Sequence, residues 1–294
     1  MFTTRGNVFS LCKRILASKR FSSSVNTSSE NLQLDYLEGV DNGIVTVGLN
    51  RPEAKNALSR TLAGNLFQAV EAVKIDKKVR AVIIRSLVPG AFCAGADLKE
   101  RSKLTDSEVK DFVTFLRSLT NAVHDLPMPV IAAIDGFALG GGFELALACD
   151  IRTASSTVKL GLVETKLAII PGAGGTQRLP RIVGPAIAKE LIFTGRTLTG
   201  SEALHLGIVN HVTEQNVDGN AAYLKALEIA REIILNGPVG IRMAKVAINS
   251  GLEVDINTGF LIEGACYAQL IPTKDRIEGI KAFQERRTPK YIGQ

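Results

Sequence analysis

The chain has 294 residues, of which 46% are hydrophobic and 22% charged, and its formal net charge is +6. That is the composition of an ordinary globular protein with ample material for a core, in one large domain or two smaller ones. No apolar run reaches the roughly 18 residues that a helical membrane span needs, so an integral helical membrane protein is excluded.

The excess charge sits at the start of the chain. Arg5, Lys13, Arg14, Lys19 and Arg20 fall within residues 1–29, which hold no Asp or Glu; the remainder has 30 basic and 29 acidic residues. The segment MFTTRGNVFSLCKRILASKRFSSSV is basic, Ser-rich and acid-free, and Phe9, Leu11, Ile15 and Leu16 can form an apolar stripe opposite the cations. This is the pattern of an organelle transit peptide. Residues 1–29 are expected to be a mitochondrial transit peptide, removed near Phe21 to Ser24, with the mature protein in the mitochondrial matrix. A mature chain near neutrality, with only 5% aromatic residues, offers few stacking platforms for nucleic-acid bases.

From Asn31 the chain reads as a strand (LQLDYLE), a turn at Asp41-Asn42-Gly43 and a second strand (IVTVGLN), a hairpin signal. ALSRTLAGNLFQAVEAVKID has helical periodicity. Lys74, Lys77 and Lys78 gather at its end, where they suit either the helix dipole or phosphate contacts to RNA. AVIIRS is nearly all apolar, as expected of a strand covered on both faces. A glycine-containing loop and a helix follow, then the buried strand PVIAAIDG, a helix entered through three glycines, and possible strands in IRTASS and VKLGL. This alternation predicts an α/β core over residues 30–222. The rest, residues 223–294, reads as helices without strands, with apolar positions on more than one face. Such a region can pack back onto the core or against another subunit.

Three of the four cysteines, Cys93, Cys149 and Cys266, are far apart in apolar contexts and read as core thiols. The histidines His124, His205 and His211 form no metal-binding pattern, and HExxH, GxSxG and Walker signatures are missing, so no metal site is expected.

Three segments stand out as chemistry. In PGAFCAGADLKER, a strand end runs through Ala94-Gly95-Ala96 into a helix begun by Asp97, and Asp97 with Glu100 reads equally as a capping box. In ALGGGFELALACD, Glu144 lies on the first turn of a helix that is apolar on every side. Burying an unpaired carboxylate is costly and raises its pKa, although Glu144 also complements the positive end of the helix dipole. In GLVETKLAIIPGAGGTQRLPR, Glu164 precedes another glycine cluster in an apolar neighbourhood. Glycine at a helix start lets a ligand approach the backbone closely and leaves N–H groups free to receive it. N–H groups of Ala96 and Gly141 converging on one oxygen would make an oxyanion hole, and two nearby carboxylates would divide acid and base work. The spacing alone does not show that the segments meet.

Taken together, FCAGADLKE, PVIAAIDGFALGGGFELALACDIR and GLVETKLAIIPGAGGTQRLPR resemble the crotonase (enoyl-CoA hydratase/isomerase) superfamily. The resemblance runs from about residue 32 to the C-terminus, including NRPEAKNAL and the closing AFQERR. It implies a spiral of ββα turns with an all-helical C-terminal region, here 223–294, that builds trimers commonly paired into hexamers. It implies Ala96 and Gly141 as oxyanion donors to an acyl-CoA thioester, and Glu144 and Glu164 as the catalytic pair of a hydratase that adds water across an α,β double bond. Glu144 is then the water-activating base and Glu164 the donor to the α-carbon. No cofactor is implied, coenzyme A being part of the substrate. CoA and acyl contacts are expected at Lys55, Ala94, Asp97, Leu98, Lys99, Gly140, Pro171 and Gly172, with Phe283 and Arg286 contributed from near the C-terminus, often by a neighbouring subunit. As an ordinary core aromatic, Phe283 would instead be buried. Residues 75–104 and 159–182 most resemble the mitochondrial methylglutaconyl-CoA hydratase branch, also described as binding AU-rich RNA, so Lys74, Lys77 and Lys78 are its candidate RNA contacts. A distal carboxylate on the substrate would call for a cation, and Lys99, Arg101 and Lys103 are candidates. The alternative is a mitochondrial hydratase of short, uncharged enoyl-CoAs.

Overall fold

A computed structural model describes residues 27–29 and 31–294. The expected transit peptide and its cleavage region therefore lie outside the described residues, except for Thr27–Ser29, which form the first strand.

Seven strands make the larger sheet, in spatial order β1 (Thr27–Ser29), β2 (Leu32–Tyr36), β3 (Ile44–Leu49), β4 (Ala81–Ser86), β6 (Val130–Ile134), β8 (Ile151–Ser155) and β10 (His211–Thr213). The first three pair antiparallel and the rest parallel. The expected hairpin is β2–β3, but its connection carries a 3-10 turn at Gly39–Asp41 before Gly43 at φ +98°, so it is longer than a two-residue turn. A smaller parallel sheet holds β5 (Ala91–Cys93), β7 (Phe137–Leu139) and β9 (Leu160–Gly161). From β4 onward, successive chain turns place one strand in each sheet before a helix crosses back. This is the expected ββα spiral.

The helices follow their capping chemistry. Helix α1 (Arg60–Ile75) starts where Ser59 Oγ accepts from the Leu62 N–H, and buries Leu62, Leu66, Ala69, Val70 and Val73 at helical spacing. A four-residue α2 (Leu98–Arg101) follows Asp97. Helix α3 (Asp106–His124) is entered through a Thr105–Glu108 capping box. Every residue of α4 (Gly141–Ala148) is buried, as its uniform apolarity requires. Helices α5 (Gly175–Val183), α6 (Pro185–Thr194) and α7 (Gly200–His205) lead to β10.

The main core lies between one face of the large sheet and α1, α3 and α4. On the opposite face, Ile44, Ala81, Ile83, Ile131 and Ala133 pack against Ala226, Leu227 and Ala230 of α8 (Ala221–Ile234). The central strands are thus covered on both sides, which is why they read as unbroken apolar runs. The sequence division at residue 222 falls inside α8, whose small apolar face belongs to the sheet. The last three helices, α9 (Pro238–Gly251), α10 (Ile256–Ala268) and α11 (Lys274–Gln284), bury only one or two residues each. Cys93, Cys149 and Cys266 are free and buried, and burial pushes the first two thiols up to about 12.

Candidate active site

The three glycine-rich segments converge at the C-terminal edge of the small sheet. Leu58 forms a parallel bridge with Ala96, its N–H donating to Gly95 O at 2.7 Å and its carbonyl accepting from Asp97 N at 3.2 Å. That pattern turns the intervening Ala96 N–H away from Leu58, toward β7 and the start of α4. A Cβ built on Gly95, which has φ +92°, would lie 2.7 Å from Leu139 O and 3.4 Å from Gly141 N, so only glycine permits this approach. Gly141 opens α4, where an N–H has no intrahelical acceptor. The two N–H groups are neighbours across this gap.

Glu144 lies on the first turn of α4, but its hydrogen bonds go elsewhere. Its Oε1 reaches across to accept from Ala173 N at 2.8 Å and Gly175 N at 2.7 Å, at the entry to α5. Burial raises its pKa, opposed by these two N–H donors and by the charges of Arg178 and Arg117. Glu164 stands at the head of a 3-10 turn, Glu164–Leu167, and its buried Oε2 has no hydrogen-bond partner. Burial, and then the charge of Glu144, push Glu164 up to about 7. The two acids are electrostatically coupled but differently supported: two backbone N–H groups hold Glu144 Oε1, whereas Glu164 Oε2 has no partner among the described residues. Gly140, at φ +49°, passes so close that a Cβ there would sit 3.2 Å from Glu164 Oε1.

A cavity of about 1080 Å³ joins these groups. Ala94, Ala96, Leu98, Gly140, Gly141, Glu144, Glu164, Pro171 and Gly172 all line it, so the structure brings most of the sequence candidates together. Others stand apart. Asp97 is the expected cap, accepting from Lys99 N and Glu100 N, and it also pairs with Arg51 at 2.7 Å. Glu100 instead accepts from Arg60 N, so the capping box is only half made. Lys55 is exposed, in a left-handed conformation after Pro52–Ala54, and its carbonyl accepts from Ala94 N. Lys99 is not among the lining residues. Phe283 is 85% exposed on α11 and Arg286 follows that helix, so neither reaches this chain's cavity and Phe283 is not a core aromatic. Lys74, Lys77 and Lys78 cluster at the end of α1, with Lys74 paired to Glu71 at 3.6 Å, and none lines the cavity.

Sequence reasoning missed three of the four arginines placed around the cavity, Arg101 being already a candidate, and two neutral partners. Arg101, Arg117, Arg178 and Arg181 all line it. Arg178 donates to Thr120 Oγ1, Ala173 O and Asn121 Oδ1. Arg178 lies within the glycine-rich run and three residues after Gly175, on the same helix face; that spacing was the available signal. Thr120 and Asn121, on α3 some 50 residues earlier, gave none. The site therefore combines backbone donors for a developing oxyanion, two buried carboxylates of unequal proton affinity and a positive rim. Such a site can move protons next to a carbonyl.

Residues 39–294 match the family model described as enoyl-CoA hydratase/isomerase. The chain is 59% identical, over 95% of its length and 82% of the relative's, to human "Methylglutaconyl-CoA hydratase, mitochondrial". It is 51% identical to mouse "Enoyl-CoA hydratase domain-containing protein 2, mitochondrial", covering 96% of this chain and 97% of the other. Among solved structures, the enoyl-CoA hydratase of Bacillus anthracis superposes with a TM-score of 0.86 at 46% identity, over 90% of this chain and 100% of that one.

Proposed function

Because the chain belongs to the enoyl-CoA hydratase/isomerase family, we propose that it is a mitochondrial hydro-lyase adding water reversibly to 3-methylglutaconyl-CoA, giving 3-hydroxy-3-methylglutaryl-CoA in leucine breakdown. The observation that carries the hydration chemistry is the pair of buried carboxylates, one donor-supported and one unpartnered, on the cavity that the Ala96 and Gly141 N–H groups also face. The identity to methylglutaconyl-CoA hydratases supports the substrate over short, uncharged enoyl-CoAs.

In this reading the thioester oxygen sits between the Ala96 and Gly141 N–H groups. Conjugate addition places negative charge on that oxygen, and fixed donors in a dry site stabilise it without reorganising; losing one such donor costs about 3 kcal/mol. Glu144, whose carboxylate accepts from Ala173 N and Gly175 N, takes a proton from water as the hydroxyl adds to the β-carbon. Glu164, whose proton is retained to about pH 7, gives it to the α-carbon. Proton exchange between the two acids then restores the starting state. Activation comes from N–H groups and proton transfer from carboxylates, so the reaction calls on no cofactor beyond the substrate's CoA. CoA lies along residues 51–58 and 95–99, past Lys55, Ala94, Leu98 and Lys99, while the Asp97–Arg51 pair fixes that wall. Phe283 and Arg286 reach the CoA of a neighbouring copy in a trimer or hexamer.

The distal carboxylate is assigned to Arg101. Of Lys99, Arg101 and Lys103, Arg101 alone lines the cavity. Among the described residues its guanidinium has no hydrogen-bond or ion-pair partner, whereas Arg117 donates to Gly172 O, Arg178 to its three acceptors and Arg181 pairs with Glu253. A charged hydrogen bond contributes about 1.5–3 kcal/mol. Arg101→Gln should therefore lower kcat/KM for 3-methylglutaconyl-CoA about 10- to 100-fold more than for crotonyl-CoA, measured by loss of the conjugated thioester absorbance. A parent enzyme that prefers crotonyl-CoA would overturn the substrate assignment and keep the chemistry.

A further inference from the structure

The backbone that holds Glu144 is itself held from behind. Arg117 Nε donates to Gly172 O at 3.1 Å, and the N–H of that same peptide unit, on Ala173, donates to Glu144 Oε1. A donor on the carbonyl of a peptide strengthens its N–H as a donor. One residue on, Ala173 O accepts from Thr120 Oγ1 at 2.7 Å and from Arg178 Nη1 at 3.2 Å. Arg178 Nη2 is fixed in turn by Asn121 Oδ1 at 2.7 Å. Gly174, at φ +107°, has no room for a Cβ beside Arg178 Nη1, so guanidinium and loop are fitted to each other.

Neither guanidinium makes an ion pair among the described residues, and all their hydrogen-bond acceptors are neutral. Burial weighs most on Arg178, and the opposite charges that act on it most strongly are Glu144 first and Asp125 second. The other charged or titratable groups lining the cavity with Glu144 are Glu164 from the 3-10 turn, His124 from α3, Arg181 from α5, Arg101 from α2 and Glu253 after α9. Burial, and then the charge of Arg178, hold the His124 imidazole below its ordinary range. Arg181 is exposed and paired with Glu253.

We infer that Arg178, with Arg117, is a positioning pair that acts through the Gly172–Gly175 backbone to place the shared negative charge on Glu144 and leave the proton on Glu164. The pair thereby sets which acid is base and which is donor. Two nearby carboxylates would otherwise compete for one proton as a coupled unit. The inference rests on the hydratase reading for its catalytic meaning, but the charge placement is a property of the protein alone.

It is therefore tested first without substrate. Infrared titration follows the protonated-carboxyl stretch of the intact enzyme, with bands assigned by Glu144→Gln and Glu164→Gln. In the parent the Glu144 band vanishes at lower pH than the Glu164 band. In Arg178→Gln the Glu144 band persists to higher pH, because the positive charge favouring the carboxylate is gone; Arg178→Lys, which keeps that charge, restores most of the parent titration. In turnover, Arg178→Gln lowers kcat by about 10- to 100-fold, the scale of a misplaced catalytic group, moves the acid limb of kcat to higher pH and leaves KM within about threefold. Unchanged Glu144 titration in Arg178→Gln, or Lys behaving as Gln does, overturns the inference. If Arg178→Gln does not fold, Arg117→Gln carries the same test, and an unmoved Glu144 band there overturns it equally. A parent enzyme that hydrates no enoyl-CoA would instead sink the functional reading, leaving the titration result standing.

Discussion

Glu164 is held at a cost to the fold, and the sign of that cost is measurable. Its native pKa of about 7 lies above the ordinary glutamate value of 4.5, so the folded state binds its proton more tightly than the unfolded chain does. The stabilising protonated form is fully present below about pH 4.5 and is lost as pH rises through 7. Above that range an ionised carboxylate with one unpartnered oxygen remains buried. Glu164→Gln should therefore raise stability at pH 8 by roughly 1–3 kcal/mol, on the basis that one pKa unit corresponds to about 1.4 kcal/mol, and do much less at pH 5. Thermal unfolding at both pH values checks this; an equal change at the two would show that the gain is packing. The same variant should lose most activity. Glu144 differs because Ala173 N and Gly175 N share its charge. The sequence marked both glutamates by one legible trait, acids inside apolar, glycine-flanked runs. Nothing in it pointed to Thr120 or Asn121, and only the spacing from Gly175 pointed to Arg178, because their roles arise from hydrogen bonds spanning 50 or more residues.

Helix α4 is the element on which the site turns. A Cβ on Gly142 would collide with Cys93 O and lie 2.8 Å from Cys93 Sγ, so the helix end can approach β5 only as glycine. Gly142→Ala should push α4 away from the Ala96 segment, costing about 1–3 kcal/mol of stability, as overpacking does. The two N–H donors would separate with it, so kcat should fall while the fold survives. Urea unfolding with steady-state kinetics distinguishes this from simple loss of folded protein. At this scale the sequence was most informative where elements are long or uniformly buried. AVIIRS, PVIAAI and the α4 run declared themselves because both sheet faces and all helix faces are covered. The strands β5, β7 and β9 are two or three residues long, too short to display a period, yet they carry Ala96 and Gly141 into register. Helix α8 read as part of a helical appendage because apolarity does not reveal which surface it meets; in the fold it roofs the sheet.

For the whole molecule, the apolar surface of the last helices is unaccounted for by the single chain. Ile256, Phe260 and Tyr267 share one face of α10 and are 69%, 60% and 64% exposed. Large apolar side chains gathered this way on an exposed helix face suit an interface. The proposed trimer covers it with a second copy and brings Phe283 and Arg286 toward that copy's CoA. Replacing Phe260 and Leu261 together by Glu should yield a smaller species in sedimentation velocity, with raised KM for CoA esters. A monomeric parent with the same KM would remove the subunit-shared CoA site. The near-neutral charge of the chain after residue 29 gives the lysines of α1 no surrounding basic field, so any RNA binding should weaken steeply with salt and show little sequence preference at fixed salt.

The most direct test of the account is hydration of 3-methylglutaconyl-CoA by the protein lacking residues 1–24, compared with its Glu144→Gln and Glu164→Gln variants. General acid and base groups each contribute about 10²–10⁴-fold, and because the two glutamates share one proton cycle their losses should not add. The account predicts that each single variant loses at least about 100-fold in kcat and that the double variant loses little more. Parental activity in either single variant would contradict it.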